Sequence, residues 1–181
     1  MITPYPPAPA PPTELYLNRE NDLCSLKALV DLSHLTRLGL TSCRLSDLGP
    51  VAELTQLTIL NLFSCQQVTD LNPLAGLSQL TTLKLSFCQQ VRDLSPLAEL
   101  QGLTPLTLHY CLQVRDLSPL ARLAQLTMLD LSYCKQIRVS DLEPLAGLIH
   151  LTRLDLTGCG HRIRAARLRV LERLPQLTIV R

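Results

Sequence analysis

Residues 80–102 read LTTLKLSFCQQVRDLSPLAELQG, and residues 103–125 read LTPLTLHYCLQVRDLSPLARLAQ. The two stretches agree at their Leu, Cys, Val, Asp, Ser and Pro positions, so they are one unit written twice. Further copies begin at Leu35, Leu57, Leu126 and Leu151, and the six units are 22, 23, 23, 23, 25 and 26 residues long. A partial copy, LTIVR, starts at Leu177, and a degenerate stretch ahead of Leu35 carries Leu15, Leu17, Leu23, Leu26, Leu29 and Leu32. Six cysteines occupy one position of the unit, namely Cys43, Cys65, Cys88, Cys111, Cys134 and Cys159, while Cys24 is out of register. A unit this short cannot enclose its own apolar face. It becomes stable only by stacking on its neighbours.

Within each unit, LxLxx alternates inward and outward, which predicts one short strand. Stacking then pairs the strands into a parallel sheet with a spacing of about 4.8 Å. The ladder cysteines are expected to turn inward beside the bend that leaves the strand. A thiol bonds weakly, so they should act there as small apolar filler. In the second half of the unit, Ser95, Ser118 and Asn72 precede Pro96, Pro119 and Pro73, a pattern that predicts an N-cap and a short helix. Asp47, Asp70, Asp93, Asp116 and Asp141 recur just before it and are expected to bond turn amides. Pro105 stands where other units carry Thr82 or Met128. Lacking an N–H, it should cost the sheet one hydrogen bond and distort it locally.

The pattern LxxLxLxxC followed by VxDLxPLAxL resembles the leucine-rich repeat over residues 15–181, with Cys at the family's usual Asn position. The DLSPLAxL half is similar to the repeats of internalin-type bacterial proteins, and the Cys-x-x-Val/Ile start to the cysteine-containing repeats of F-box proteins. The resemblance implies an α/β fold: a curved solenoid with a parallel sheet on its concave face and short helices or 3-10 turns on its convex face. Residues 1–13 are then a proline-rich segment and 14–181 a single repeat domain. Within that domain, 14–34 form an N-terminal cap, 35–161 the repeats and 162–181 a C-terminal cap whose final helix offers Ile163, Leu168, Leu171 and Leu174 to the core.

Composition narrows the function classes. Of 181 residues 44 are leucine, and there is no Trp, two Phe and four Tyr. The chain is too apolar for disorder, and its apolar runs are too short to span a bilayer. The opening MITPYPPAPAPP has neither the basic nor the apolar region of a secretory signal. With six inward thiols this points to a reducing, cytoplasmic setting. The net charge is +2, but Arg162, Arg164, Arg167, Arg169, Arg173 and Arg181 gather at the C-terminal end. No aromatic side chain stands among them to stack a base, so nucleic acid is disfavoured. No CxxC pair exists, and one file of thiols does not make a tetrahedral metal site, so no metal or cofactor is expected. In strict alternation Cys111 would share the outward face with His109, but the turn that begins there should swing it inward with the other ladder cysteines, and nothing marks an orienting third group. The chain is read as non-enzymatic.

The outward face of the strands carries the candidate site. Phe63, Phe87, Tyr110 and Tyr133 line one edge of the sheet, and three of them lie one unit apart. Lys84, His109, Asp130 and Asp155 share that face. Rigid aromatic rings favour protein contacts, and the charges favour orientation. The expected function is a protein–protein interaction module acting as a monomer. The alternative is a sensor or regulatory part of a larger signalling or enzyme polypeptide.

Overall fold

The computed structural model describes residues 12–18, 29, 31–160, 163 and 168–181. The proline-rich residues 1–11, Cys24, His161, Arg162, Arg164 and Arg167 lie outside the described residues. Among the described residues eight strands follow one another in chain order and form one parallel sheet. They are β1 (Glu14–Asn18), β2 (Arg37–Thr41), β3 (Ile59–Asn61), β4 (Thr82–Lys84), β5 (Pro105–Thr107), β6 (Met128–Asp130), β7 (Arg153–Asp155) and β8 (Thr178–Val180). The register sets the inward leucines side by side: Leu15, Leu38, Leu60, Leu83, Leu106, Leu129 and Leu154 pair in turn, and Ile179 closes the row. In the last copy Thr178 pairs with Arg153, so LTIVR is one residue short of the repeat's strand and Ile179 takes the inward leucine's place.

On the opposite side, 3-10 helices at Gly49–Glu53, Asn72–Leu74, Ser95–Glu99, Ser118–Arg122, Val139–Gly147 and Arg169–Leu171 return the chain to the next strand. The described part of 162–174 therefore ends in a 3-10 turn, and Ile163, Leu168, Leu171 and Leu174 are buried. The N-cap expectation is corrected at Asn72, Ser95 and Ser118. Each is the first residue inside its helix, the cap residues are Leu71, Leu94 and Leu117, and no cap side chain bonds there. The aspartate one residue before the leucine does that work. Asp47, Asp70, Asp93 and Asp116 each accept the N–H two residues on, at 2.7–2.8 Å. Asp141 reaches back instead, accepting the Arg138 N–H at 2.7 Å. Hydrogen bonds from the Ser95 and Ser118 side chains, and then from their N–H groups, hold the Asp93 and Asp116 carboxyls below the usual carboxylate range.

Two ladders tie each repeat to the one before it. From Thr36 to Thr152, the threonine that opens each repeat gives both its N–H and its hydroxyl to the preceding threonine's carbonyl, while Thr178 gives only its N–H. Thr81 does so to Thr58 at 2.9 and 3.1 Å, and Thr152 to Thr127 at 2.9 and 3.0 Å. The second ladder is the cysteine file, and it corrects the filler expectation. Five of the six buried thiols donate to a leucine carbonyl one repeat back, from Cys65 to Leu40 at 3.2 Å to Cys159 to Leu131 at 2.9 Å, and Cys43 approaches the Leu17 carbonyl at 4.0 Å. Burial and neighbouring thiols push Cys88 and Cys134 up to about 12, and Cys159 rises to about 11 by burial.

Pro105 disturbs the sheet less than expected. At β2, β3, β4, β6 and β7 two successive N–H groups share one threonine carbonyl, as Thr127 and Met128 share that of Thr104. At Pro105 only the Thr104 N–H remains on Thr81, and the Thr82–Pro105 pair is missing while Leu83–Leu106 and the next strand keep their register. Pro105→Thr should restore the second donor and leave stability unchanged or raised by up to about 1 kcal/mol, measured by urea unfolding. A clear loss would mean that the proline relieves a strain that threonine cannot.

An unfolded thiol ionises near pH ~8.5. Below that value both states keep the proton and burial of the thiols contributes fully. Above it the unfolded chain sheds protons that the folded chain holds, so stability falls as pH rises toward about 11 to 12. Each thiol should remove roughly 1 kcal/mol per pH unit in that window. Urea midpoints on an alkaline pH series will show the fall, and Cys111→Ala should flatten it by one thiol's share. A flat profile would place the cysteines outside the core.

Candidate functional site

Each strand must leave the sheet within four residues of its second inward leucine. The turn closes when the ladder cysteine's N–H bonds that leucine's carbonyl, as from Cys88 to Leu85 at 3.1 Å and from Cys111 to Leu108 at 3.1 Å. Such a turn places the residue before cysteine in the left-handed region. Ser42, Ser64, Phe87, Tyr110 and Tyr133 have φ between 57° and 62°, and Gly158 has 70°. For Gly158 the conformation is free. For Phe87, Tyr110 and Tyr133 it costs on the order of 1–2 kcal/mol each. The geometry is held from the next repeat, because each of these residues gives its N–H to a carbonyl there. Phe87 donates to His109 and Tyr110 to Ser132, both at 2.8 Å.

The strained positions carry most of the aromatic cluster. Phe63 meets Phe87 edge to face at 5.3 Å, Phe87 stacks on Tyr110 at 5.1 Å with an interplanar angle of 28°, and Tyr110 lies 5.9 Å from Tyr133. His109 joins edge-on to Phe87 at 4.9 Å and to Tyr133 at 5.6 Å. The column ends on Gly158, where a Cβ would stand 2.7 Å from the Tyr133 ring. Phe63 and Tyr133 remain 39% and 40% exposed, and Phe87, His109 and Tyr110 are half-buried. The rings therefore cover the turn and still present a surface.

The polar candidates separate into two groups. Lys84 projects from β4 into solvent with no hydrogen bond or ion pair among the described residues. Asp130 and Asp155 are register partners on β6 and β7, and each accepts a turn N–H, from Ser132 at 2.8 Å and Thr157 at 2.9 Å. Asp155 also lies 3.7 Å from the Arg153 guanidinium. Asp130 takes the Ser132 hydroxyl proton as well, and His109 Nδ1 lies 2.6 Å from the same Ser132 oxygen. With that hydroxyl committed to Asp130, the ring N–H donates to Ser132. The row Asp130–Ser132–His109 thus runs the wrong way to activate a serine nucleophile. Cys111 turns to the core and bonds the Leu85 carbonyl at 3.1 Å, so it makes no pair with His109. Among the described residues no group of His, Cys, Asp and Glu is arranged to hold a metal ion.

The sequence reading missed Tyr16. The Leu15–Leu17 alternation places it outward on β1, where it is 64% exposed and lies across Gly39, beside the Glu14–Arg37 ion pair of 3.0 Å. It also missed the left-handed backbone, for which Gly158 was the only residue-type signal.

A family model of leucine-rich repeats, two copies long, matches residues 33–76 and again 55–99. The chain is a leucine-rich-repeat protein. Among solved structures this repeat protein is similar to internalin C2 of Listeria monocytogenes, with 34% identity over 86% of this chain and 66% of that one and a TM-score of 0.66. It is similar to internalin F of the same organism at 26% identity, over 84% of this chain and 49% of that one, with a TM-score of 0.63. A leucine-rich-repeat protein of Leptospira interrogans shares the fold at 21% identity and a TM-score of 0.65, over 93% of this chain and 48% of that one. The chain thus spans about half the length of internalin F and of the Leptospira protein. No curated protein matches it by sequence. Leucine-rich repeats of this kind indicate a protein–protein interaction module, and no described helix is long and apolar enough to cross a membrane.

The turn geometry separates the two tasks of a ring. Tyr110→Ala deletes the ring and keeps a strained Cβ, whereas Tyr110→Gly deletes the ring and relieves the strain. The glycine variant should be the more stable by about 1 kcal/mol in urea unfolding. Equal stability would mean that the turn relaxes and stores no strain at Tyr110.

Proposed function

We propose that this repeat protein binds a protein partner on its concave face through Phe63, Phe87, Tyr110 and Tyr133. The observation that carries the reading is that large rings fill left-handed positions where Ser42, Ser64 and Gly158 serve the same turn elsewhere. Stacking of a ring pair returns about 0.5–1.5 kcal/mol, comparable with the local strain, so stability alone gives little reason to keep them. Contact with a partner gives one, because rigid aromatic side chains dock with little entropy loss. Lys84 and His109, with Asp130 and Asp155 behind them, set orientation and encounter rate on the same face. The burial of the six ladder thiols fits a reducing, cytoplasmic setting.

Affinity capture from host extract should compare the wild type with Phe87→Gly and Tyr110→Gly. A partner held by the wild type should bind each variant roughly 10- to 100-fold more weakly while their unfolding curves stay close to wild type. Reversing Arg169 and Arg173 to Glu should leave capture intact. Loss of capture on that reversal alone, or full capture by both ring variants, would move the binding face elsewhere.

A further inference from the structure

The threonine ladder is unfinished at both ends of the sheet, and the two ends are complementary. Thr13 opens the ladder. Its carbonyl serves Thr36 and Arg37, while its own N–H and hydroxyl meet no acceptor among the described residues. Thr178 closes it, donating to Thr152, and no described donor reaches the Thr178 carbonyl. β1 pairs only with β2 and β8 only with β7, so both edges of the sheet are open among the described residues. An open edge is a template for another strand. The apolar packing is unfinished as well. Leu15 and Leu32 at the first edge, and Val170, Leu177 and Ile179 at the last, pack on the core yet stay partly exposed.

Charge separates the same two ends at one position of the repeat. As the chain returns to each next strand, one leucine carbonyl accepts the N–H three residues on, from Leu32 to Leu174. The residue just before that leucine is Asp31, Glu53 and Glu99 in the first part of the stack and Arg122 and Arg173 in the last, with Gly76 and Gly147 between. Where consecutive members oppose in charge they meet across the repeat spacing, with Arg122 Nη1 2.9 Å from Glu99 Oε1. Asp31 and Arg173 are the terminal members. Both are exposed, and neither has an ion pair among the described residues.

We infer that copies of this chain stack head to tail, β8 of one against β1 of the next, so that the parallel sheet runs on from molecule to molecule. One occupant then completes everything that the ends lack. The Thr13 N–H and hydroxyl of the second copy take the Thr178 carbonyl, as Thr152 takes that of Thr127 within the chain. Its Leu15 and Leu32 cover Ile179, Leu177 and Val170. Its Asp31 comes to Arg173 at the spacing that joins Glu99 to Arg122, with the two charges exchanged. Pairing of like ends fails on charge, because it sets the end that holds Arg169, Arg173 and Arg181 against itself. A head-to-tail contact is heterologous, so it builds open chains or rings and does not stop at two copies. It leaves the ring column free, so it does not depend on the concave-face reading, and it departs from the monomer expected from sequence.

Sedimentation velocity of the full chain over a dilution series provides the test, with urea unfolding of each variant as the control for folding. The wild type should pass through dimers to larger species as concentration rises. Thr13→Pro removes both donors and keeps the carbonyl that Thr36 uses. It should weaken association about tenfold or more while the unfolding midpoint stays near wild type. Asp31→Arg and Arg173→Asp should each weaken association about two- to fivefold. The double variant Asp31→Arg/Arg173→Asp should associate like the wild type, because the exchanged pair is again opposite in charge. A wild type that stays monomeric, or that stops at a dimer, overturns the inference. So does association untouched by Thr13→Pro, or a double variant weaker than either single one. Phe87→Gly and Tyr110→Gly should self-associate like the wild type, and loss of association in them would overturn the inference by moving the contact to the column. A monomeric wild type whose ring variants still lose the captured partner would leave the concave-face reading standing and remove only this one.

Discussion

The structure depends on one carbonyl per repeat, that of the second inward leucine. Leu62, Leu85, Leu108 and Leu131 each accept two donors: the N–H of their own ladder cysteine, which closes the turn, and the thiol of the next repeat's cysteine. Both lone pairs of a buried acceptor are thereby satisfied without water. The same cysteine bends its own repeat and fastens itself to the preceding one. Local turn and stacking are therefore not separate events, which is why a single repeat has no stable form.

That closure also dictates the surface. A turn this tight needs a left-handed residue just before the cysteine, and its Cβ emerges at the edge of the concave face. Whatever occupies the position is displayed at one point per repeat, at the pitch of the sheet. Ser42 and Ser64 give the column a polar start, Phe87, Tyr110 and Tyr133 an aromatic middle, and Gly158 an end on which the last ring lies. The rings stack because the hydrogen bonds of the backbone place their anchors about one strand spacing apart. His109 belongs to the cluster for a different reason. It is an outward strand residue, held by Ser132 from the next repeat.

How much of this was legible in the sequence follows from what residue type can report. The strand, the inward leucines and the burial of the cysteines were readable, because alternation and repeat position determine them. The turn role of Asp47, Asp70, Asp93 and Asp116 was readable for the same reason. The cap was assigned to Ser95 and Ser118 because Ser-Pro is a common helix start, yet the aspartate two residues earlier already holds the amide. The threonine ladder was overlooked although Leu-Thr was the alignment mark itself, since a threonine beside a strand carries no signal of its partner one repeat away. Pro105 misled in the other direction. Proline announces a missing donor but not that the carbonyl it fails to reach is served by Thr104 as well.

The left-handed column was the least legible feature, and the reason bears on function. Backbone strain is invisible when the residue at the strained site is a poor reporter of it, and Phe and Tyr are among the poorest. A repeat selected for stacking alone would be expected to drift toward Gly or Asn at that position, as Gly158 does, because those residues release the strain and leave every backbone bond of the turn in place. Three consecutive repeats instead hold a large ring there, with its edge in water and, for both tyrosines, a hydroxyl without a partner among the described residues. The left-handed backbone runs from Ser42 to Gly158, but only its middle carries rings, and that placement is what the proposed contact surface would use.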